Sequence, residues 1–349
     1  MSSEDEVPTP APAAPVSMAW GTSPSLYLSY GWVSMKGRRP ALTDAVAAEQ
    51  SFTALSPPMG LDYFAVFDGH FGAAVAEHLR ARLGTAIAER VESELLTETP
   101  RFGASHDVPG WWRTVLQEAF QAVDEEMASV GEAGEAAAVG ATALVALVLD
   151  KYIVLANCGV SRAVLSRGSE VMQLTSEHRV KLPLALGIHM SCPKPDACHL
   201  SQQVQLNRPD EKPLQGVEND GGRVDESTSK VDNVLKTTRA FGSSLYKPCV
   251  TSEPEVTVVE REPQDEFLIL ASDGLWDAVA PASACDFVRQ RLLKPSVITM
   301  PWETLLDDRG SPTVLAKELA EGAVRAGSQD NVSVALVLFM DFWSQRANK

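Results

Sequence analysis

Four scattered segments of this chain set an aspartate against an apolar, strand-like run: Phe64–His70 around Asp68, Phe267–Gly274 around Asp273, Gly327–Asn331 around Asp330, and, more weakly, Arg38–Asp44. A carboxylate at the end of a buried strand is costly unless it meets a cation or hydrogen-bond donors. Two of the four, Asp68 and Asp273, are followed by glycine, which lets a backbone carbonyl come close to a ligand. Oxygen donors of this kind suit a hard cation such as Mg²⁺ or Mn²⁺. Any one Asp-Gly pair is by itself explained by a turn. The set together points to a metal site.

With 349 residues and a hydrophobic fraction of 45%, the chain is long enough to bury a real core. Its formal net charge of −16 argues against a nucleic-acid surface, which needs clustered Lys and Arg. There is no apolar run of 18 residues and no basic-then-apolar leader at the N-terminus. The expectation is therefore a soluble intracellular protein, cytoplasmic or nuclear, without a membrane partner. Five cysteines, scattered from Cys158 to Cys285, do not form a disulfide framework. Cys285 and Arg291 match the C-x5-R spacing of thiol phosphatases, but the residues between them lack glycine and pattern as an amphipathic helix.

Residues 1–24 are rich in Pro, Ala and acid and are expected to be a disordered tail. A single domain is expected over 25–345. Apolar spacing predicts helices over 73–96, 111–130, 281–293 and 313–326. Strands are predicted over 142–149, 152–157, 163–167, 255–259, 266–271 and 332–339, with Asp150-Lys151 as a hairpin turn. Clustered hairpins with helices between them indicate an α+β fold, with two antiparallel β-sheets packed as a central sandwich flanked by pairs of helices. Residues 178–222 are proline-rich and aperiodic, an irregular flap. Its His189, Cys192, Cys198 and His199 are of zinc-ligand type, though the cysteine spacing is wider than usual.

In order, Gly37-Arg38-Arg39-Pro40, Asp68-Gly69-His70, Gly140-Ala141-Thr142-Ala143, Gly159-Val160-Ser161-Arg162, Thr238-Arg239-Ala240-Phe241-Gly242, Ser252-Glu253-Pro254-Glu255-Val256, Ser272-Asp273-Gly274-Leu275-Trp276-Asp277 and Ser328-Gln329-Asp330-Asn331 are similar to the motifs of the metal-dependent type 2C (PPM) serine/threonine protein phosphatases. The wording is most similar to that of plant members, including the group active in abscisic-acid signalling. The resemblance implies hydrolysis of phosphoserine and phosphothreonine on proteins, with two Mg²⁺ or Mn²⁺ ions activating the attacking water. It implies Asp68 as the bridging ligand, the Gly69 carbonyl as a second donor, and Asp273 and Asp330 on the second metal. Asp44 would stand in the metal-water network and Asp277 at a third, weaker metal. Arg39 would hold the phosphate oxygens and His70 would protonate the leaving oxygen. Phosphoproteins are the implied partners of an expected monomer.

Several family positions are altered. Thr43 stands where the family has Glu, and Val160 and Ser243 where it has Asp. Glu177-His178-Arg179-Val180 replaces Asp-His-Lys-Pro, and Phe71 replaces a glycine beside His70. Loss of a supporting group typically lowers metal affinity or activity by roughly 10- to 100-fold. Two readings stay open: a phosphatase with a raised metal requirement, or a pseudophosphatase that binds phosphoproteins without turnover. A metal-free scaffold is disfavoured by the gathered carboxylates. No tryptophan lies between 113 and 275, and Glu226 falls near the place where the abscisic-acid group inserts one into a hormone receptor. No such tryptophan lock is expected.

Overall fold

A computed structural model of the chain describes residues 20–23, 28–53, 61–96, 107–129, 137–179, 224–225, 230–231, 235–293 and 310–347. Elements follow in chain order as β1 (Trp20–Ser23), β2 (Leu28–Met35), β3 (Ala45–Glu49), β4 (Asp62–His70), α1 (Ala74–Leu95), α2 (Val108–Ser129), β5 (Gly140–Val148), β6 (Tyr152–Cys158), β7 (Arg162–Arg167) and β8 (Glu170–Gln173). A short hairpin of β9 (Val224–Asp225) and β10 (Lys230–Val231) precedes β11 (Phe241–Gly242), β12 (Glu255–Glu260) and β13 (Asp265–Ala271). The chain then runs through α3 (Asp273–Trp276), α4 (Pro281–Leu293), α5 (Pro312–Ala326), β14 (Val332–Phe339) and α6 (Met340–Ala347).

The strands form two antiparallel sheets, one ordered β1-β2-β14-β13-β7-β8 and the other β12-β6-β5-β4-β3, with β11 pairing β5. Alternation along β4 and β13 shows why they stack. Phe64 and Val66 on β4, with Leu268 and Leu270 on β13, join a buried layer between the sheets. Tyr63, Ala65 and Phe67 point the other way, onto α1 and α2 through Leu79, Leu83, Trp112 and Phe120. Phe267, Ile269 and Ala271 likewise meet α4 and α5 through Val288, Leu315 and Leu319. Both faces of each central strand are thus covered, so these antiparallel strands read as unbroken apolar runs rather than as alternation. Each fully buried Leu or Phe contributes about 1.5–3 kcal/mol, which fixes the strand registers on which the site depends.

The expected hairpin at Asp150-Lys151 is present, Val148 pairing Ile153 with Leu149 N–H donating to the Tyr152 carbonyl at 2.8 Å. The strand nearest the N-terminus was not legible. Trp20–Ser23, within the expected 1–24 tail, pair with the free edge of β2. The expected aspartate placement at strand ends is corrected for two of the four. Asp44 and Asp330 each precede a strand, β3 and β14, and are fed from loops. Residues 180–222 of the expected 178–222 flap, with the His189/Cys192/Cys198/His199 set, and Glu226 lie outside the described residues.

Candidate metal centre

The site forms where both sheets end on the same side of the sandwich. One step past the Ala45–Phe67 pair, Asp44 and Asp68 come together on the second sheet. On the first sheet Asp273 follows β13 and opens α3, while Asp330 lies two residues before β14. The two Asp-Gly glycines are required by close packing. A Cβ on Gly69 would collide with the Thr43 carbonyl, and one on Gly274 with the Asn331 carbonyl. Gly274 therefore serves chain approach, and its own carbonyl accepts the Ser328 hydroxyl at 2.7 Å.

Asn331 is the organising residue that sequence reasoning left without a role. Its amide donates to the Lys36 and Ala41 carbonyls at 2.8 and 3.0 Å, and its Oδ1 accepts from Thr43 N–H at 2.8 Å. These three bonds clamp the loop that carries Arg39 against the start of β14. Arg39 then donates through Nε and Nη2 to the two oxygens of Asp330 at 2.8 and 2.7 Å. On the other side Arg179 reaches Asp277 at 2.7 Å and Asp273 at 3.4 Å.

Electrostatics record how crowded the carboxylates are. Burial pushes Asp44 up to about 7, against hydrogen bonds from Ser333 and Ser272 that favour its charged form. Ser333 donates to Asp44 Oδ2 at 2.8 Å, while Oδ1 is buried with no partner. Asp68 is raised well above the carboxylate range by burial, by the charges of Asp44, Asp273 and Asp330, and by a hydrogen bond shared with Asp273. Burial and the Asp277 and Asp330 charges lift Asp273 to about 6. Mutual repulsion of this kind favours a cation among the four.

The residues fit a dication site by chemistry. They offer only oxygen donors, one buried carboxylate oxygen has no partner, and the carboxylates oppose one another's ionisation. In their present rotamers, no three His, Cys, Asp or Glu side chains among the described residues are placed to hold one ion. Asp330 is turned to Arg39 and Asp273 to Arg179. The Thr43 hydroxyl lies 2.7 Å from the Gly69 carbonyl oxygen. Occupancy requires these polar partners to be exchanged.

His70 stands at the rim with Nε2 2.7 Å from Ser243 Oγ. Burial lowers it to about 4, so the ring is neutral at physiological pH. Phe71, at φ 60° and 56% exposed, sets its ring edge-on to His70 at 5.6 Å. The structure thus brings Asp44, Asp68, Asp273, Asp330, Arg39 and Asp277 into one network, with Gly69 in it and His70 beside it. Arg179 was visible in the sequence only as an altered motif position. Cys285 is excluded as a nucleophile: it is buried in α4 with its thiol pushed up to about 12, and Arg291 is held by Glu318.

A profile of the family described as Protein phosphatase 2C matches residues 28–184 and 193–332. The chain is 36% identical to the probable protein phosphatase 2C 8 of Oryza sativa subsp. japonica over 96% of this chain and 79% of that one. It is also 36% identical to protein phosphatase 2C 77 of Arabidopsis thaliana, over 88% of this chain and 70% of that one. A serine-threonine phosphatase 2C from Toxoplasma gondii shares the fold at a TM-score of 0.66 and 19% identity, covering 93% of this chain and 99% of that chain. A carboxylate cluster at the mouth of this sandwich, and a profile whose span includes all four of its aspartates, place the chain in the protein phosphatase 2C family of serine/threonine phosphatases.

Proposed function

We propose that the chain is a working metal-dependent phosphatase acting on phosphoserine and phosphothreonine in proteins, with a raised metal requirement. The observation that carries this reading is the cluster of Asp44, Asp68, Asp273 and the partly exposed Asp330, whose charges oppose one another, together with the buried Asp44 Oδ1 that has no partner. Asp68, Asp273, Asp330 and the Gly69 carbonyl would hold two Mg²⁺ or Mn²⁺ ions, with Asp44 behind them. Such ions activate water and neutralise charge on the phosphoryl group.

The chain's own residues supply the rest. Arg39 is 54% exposed along its side chain, so its planar fork can leave Asp330 for the phosphate oxygens that face solvent. His70 rests neutral, and a phosphate dianion beside it favours the protonated ring that donates to the leaving oxygen. Ser243 fixes the orientation of that ring through Nε2. The raised metal requirement follows from Thr43, a neutral hydroxyl that occupies one lone pair of the Gly69 carbonyl.

The second reading, a phosphoprotein-binding pseudophosphatase, is favoured by the Arg39–Asp330 fork, which ties up a ligand and the phosphate-binding cation together. Phosphate release from a phosphothreonine peptide, titrated with Mn²⁺ and Mg²⁺, separates the two. Turnover that saturates at high metal and disappears in Asp68→Ala and Asp273→Ala supports the enzyme. Folded protein without turnover at any metal concentration supports the binder.

A further inference from the structure

Within the expected 178–222 flap, Arg179 is the last described residue, and three acids surround it. Its Nη2 lies 2.7 Å from Asp277 Oδ1 and 3.4 Å from Asp273 Oδ2, and its Nε lies 3.4 Å from Glu177 Oε2. The backbone holds it there. Residue 179 bridges to Thr237, and the preceding His178 accepts the Gly159 N–H on Nδ1 and meets Glu255 through Nε2. Glu177 is fixed in turn by Arg162 at 2.6 Å. The guanidinium is therefore anchored from several directions beside Asp273 and Asp277.

Resting on the metal-dependent reading above, we infer that Arg179 is a built-in cation that fills the outer position of the site. In this assignment Asp277 serves Arg179, and no third metal ion is bound beside Asp273. Three facts support this. The carboxylate that a third ion would use at position 160 is replaced by Val160, which is buried and offers no donor. Asp277 is 46% exposed on its side chain, yet its Oδ1 is engaged by the guanidinium. Asp273 Oδ2 already faces the Arg179 guanidinium at 3.4 Å. A fixed positive charge beside Asp273 also repels a dication at the neighbouring position, because like charges at a few ångströms oppose each other. Arg179 is thus a positioning residue that sets how many ions the site takes and how tightly.

The test is Mn²⁺ uptake by calorimetry and by electron paramagnetic resonance, without substrate. Wild type is expected to take up two equivalents. Asp277→Asn should keep both, with less than the roughly tenfold loss of affinity that removing a supporting group brings. Arg179→Met should gain affinity by roughly tenfold or bind an additional equivalent. Loss of an equivalent in Asp277→Asn, or unchanged uptake in Arg179→Met, overturns the assignment. A double-mutant cycle of these two substitutions, melted in EDTA, reads the ion pair without any metal. A non-additive cycle is expected, and an additive one overturns the assignment. Wild type that takes up no Mn²⁺ overturns the phosphatase reading instead, and the cycle still decides on Arg179.

Discussion

The Thr43 hydroxyl sits 2.7 Å from the Gly69 carbonyl oxygen and 2.9 Å from Asn331 Oδ1. Its single proton serves one acceptor at a time, and either choice places a neutral donor where the resemblance calls for a carboxylate. Thr43→Glu should therefore lower the Mn²⁺ concentration needed for half-maximal thermal stabilisation by about tenfold. In EDTA the same variant should melt below wild type, because a further acid joins an already crowded cluster. A Mn²⁺ midpoint equal to wild type would show that Thr43 does not limit metal binding.

Gly274 packs against the Asn331 backbone, where a Cβ would overlap the carbonyl. Gly274→Ala is predicted to destabilise the protein by about 1–3 kcal/mol through overpacking, measured by urea denaturation. The substitution also pushes on the residue that clamps the Arg39 loop, so metal-dependent stabilisation should fall with it. Wild-type stability in this variant would mean that the loop is held some other way.

The contribution of Asp44 and Asp273 to metal-free stability should grow as pH falls from 8 to about 5.5, against an opposite contribution from the buried His70 and His178. The folded-state values of Asp44, about 7, and Asp273, about 6, lie above the unfolded value of about 3.9. At these two groups the native state then binds more protons than the unfolded state across this window, so their contribution is lost as pH rises through 6 and 7. Saturating Mn²⁺ should reverse the slope, since protons then compete with the ion. Melting curves with and without Mn²⁺ read both arms. A metal-free pH slope that Asp44→Asn leaves unchanged would contradict the crowding of these carboxylates.

His70→Ala should lower kcat by about 10²–10⁴-fold while leaving the Mn²⁺-induced thermal shift intact, as expected of an acid that holds no metal. Ser243→Asp sets a carboxylate 173 residues away in sequence next to the ring. It should favour the imidazolium and move the alkaline limb of the kcat–pH profile upward. An unmoved limb would detach His70 from the proton transfer.

The apolar runs of β4, β13 and β14 were legible because burial on both faces leaves little freedom of residue type. Asp68 and Asp273 were legible for a related reason: a charge beside such a run calls for a cation. Asp44 and Asp330 were found by motif, but their placement before strands was not, since loop geometry depends on the Asn331 clamp formed across about 290 residues. Arg179 was opaque for the same reason. Two of its three acidic partners lie 94 and 98 residues away, and nothing local in Glu177-His178-Arg179 reports them. Neither was Gly274 readable as a packing glycine, because an Asp-Gly pair looks alike in a turn, at a ligand and against a neighbouring backbone.

The most direct test is the anomalous scattering of Mn²⁺ in crystals of the wild-type protein. Two peaks are predicted among Asp68, Asp273, Asp330 and the Gly69 carbonyl, with Arg39 turned away from Asp330 and no peak between Arg179 and Asp277. Crystals grown at tens of millimolar Mn²⁺ that show no peak among these carboxylates would contradict the account.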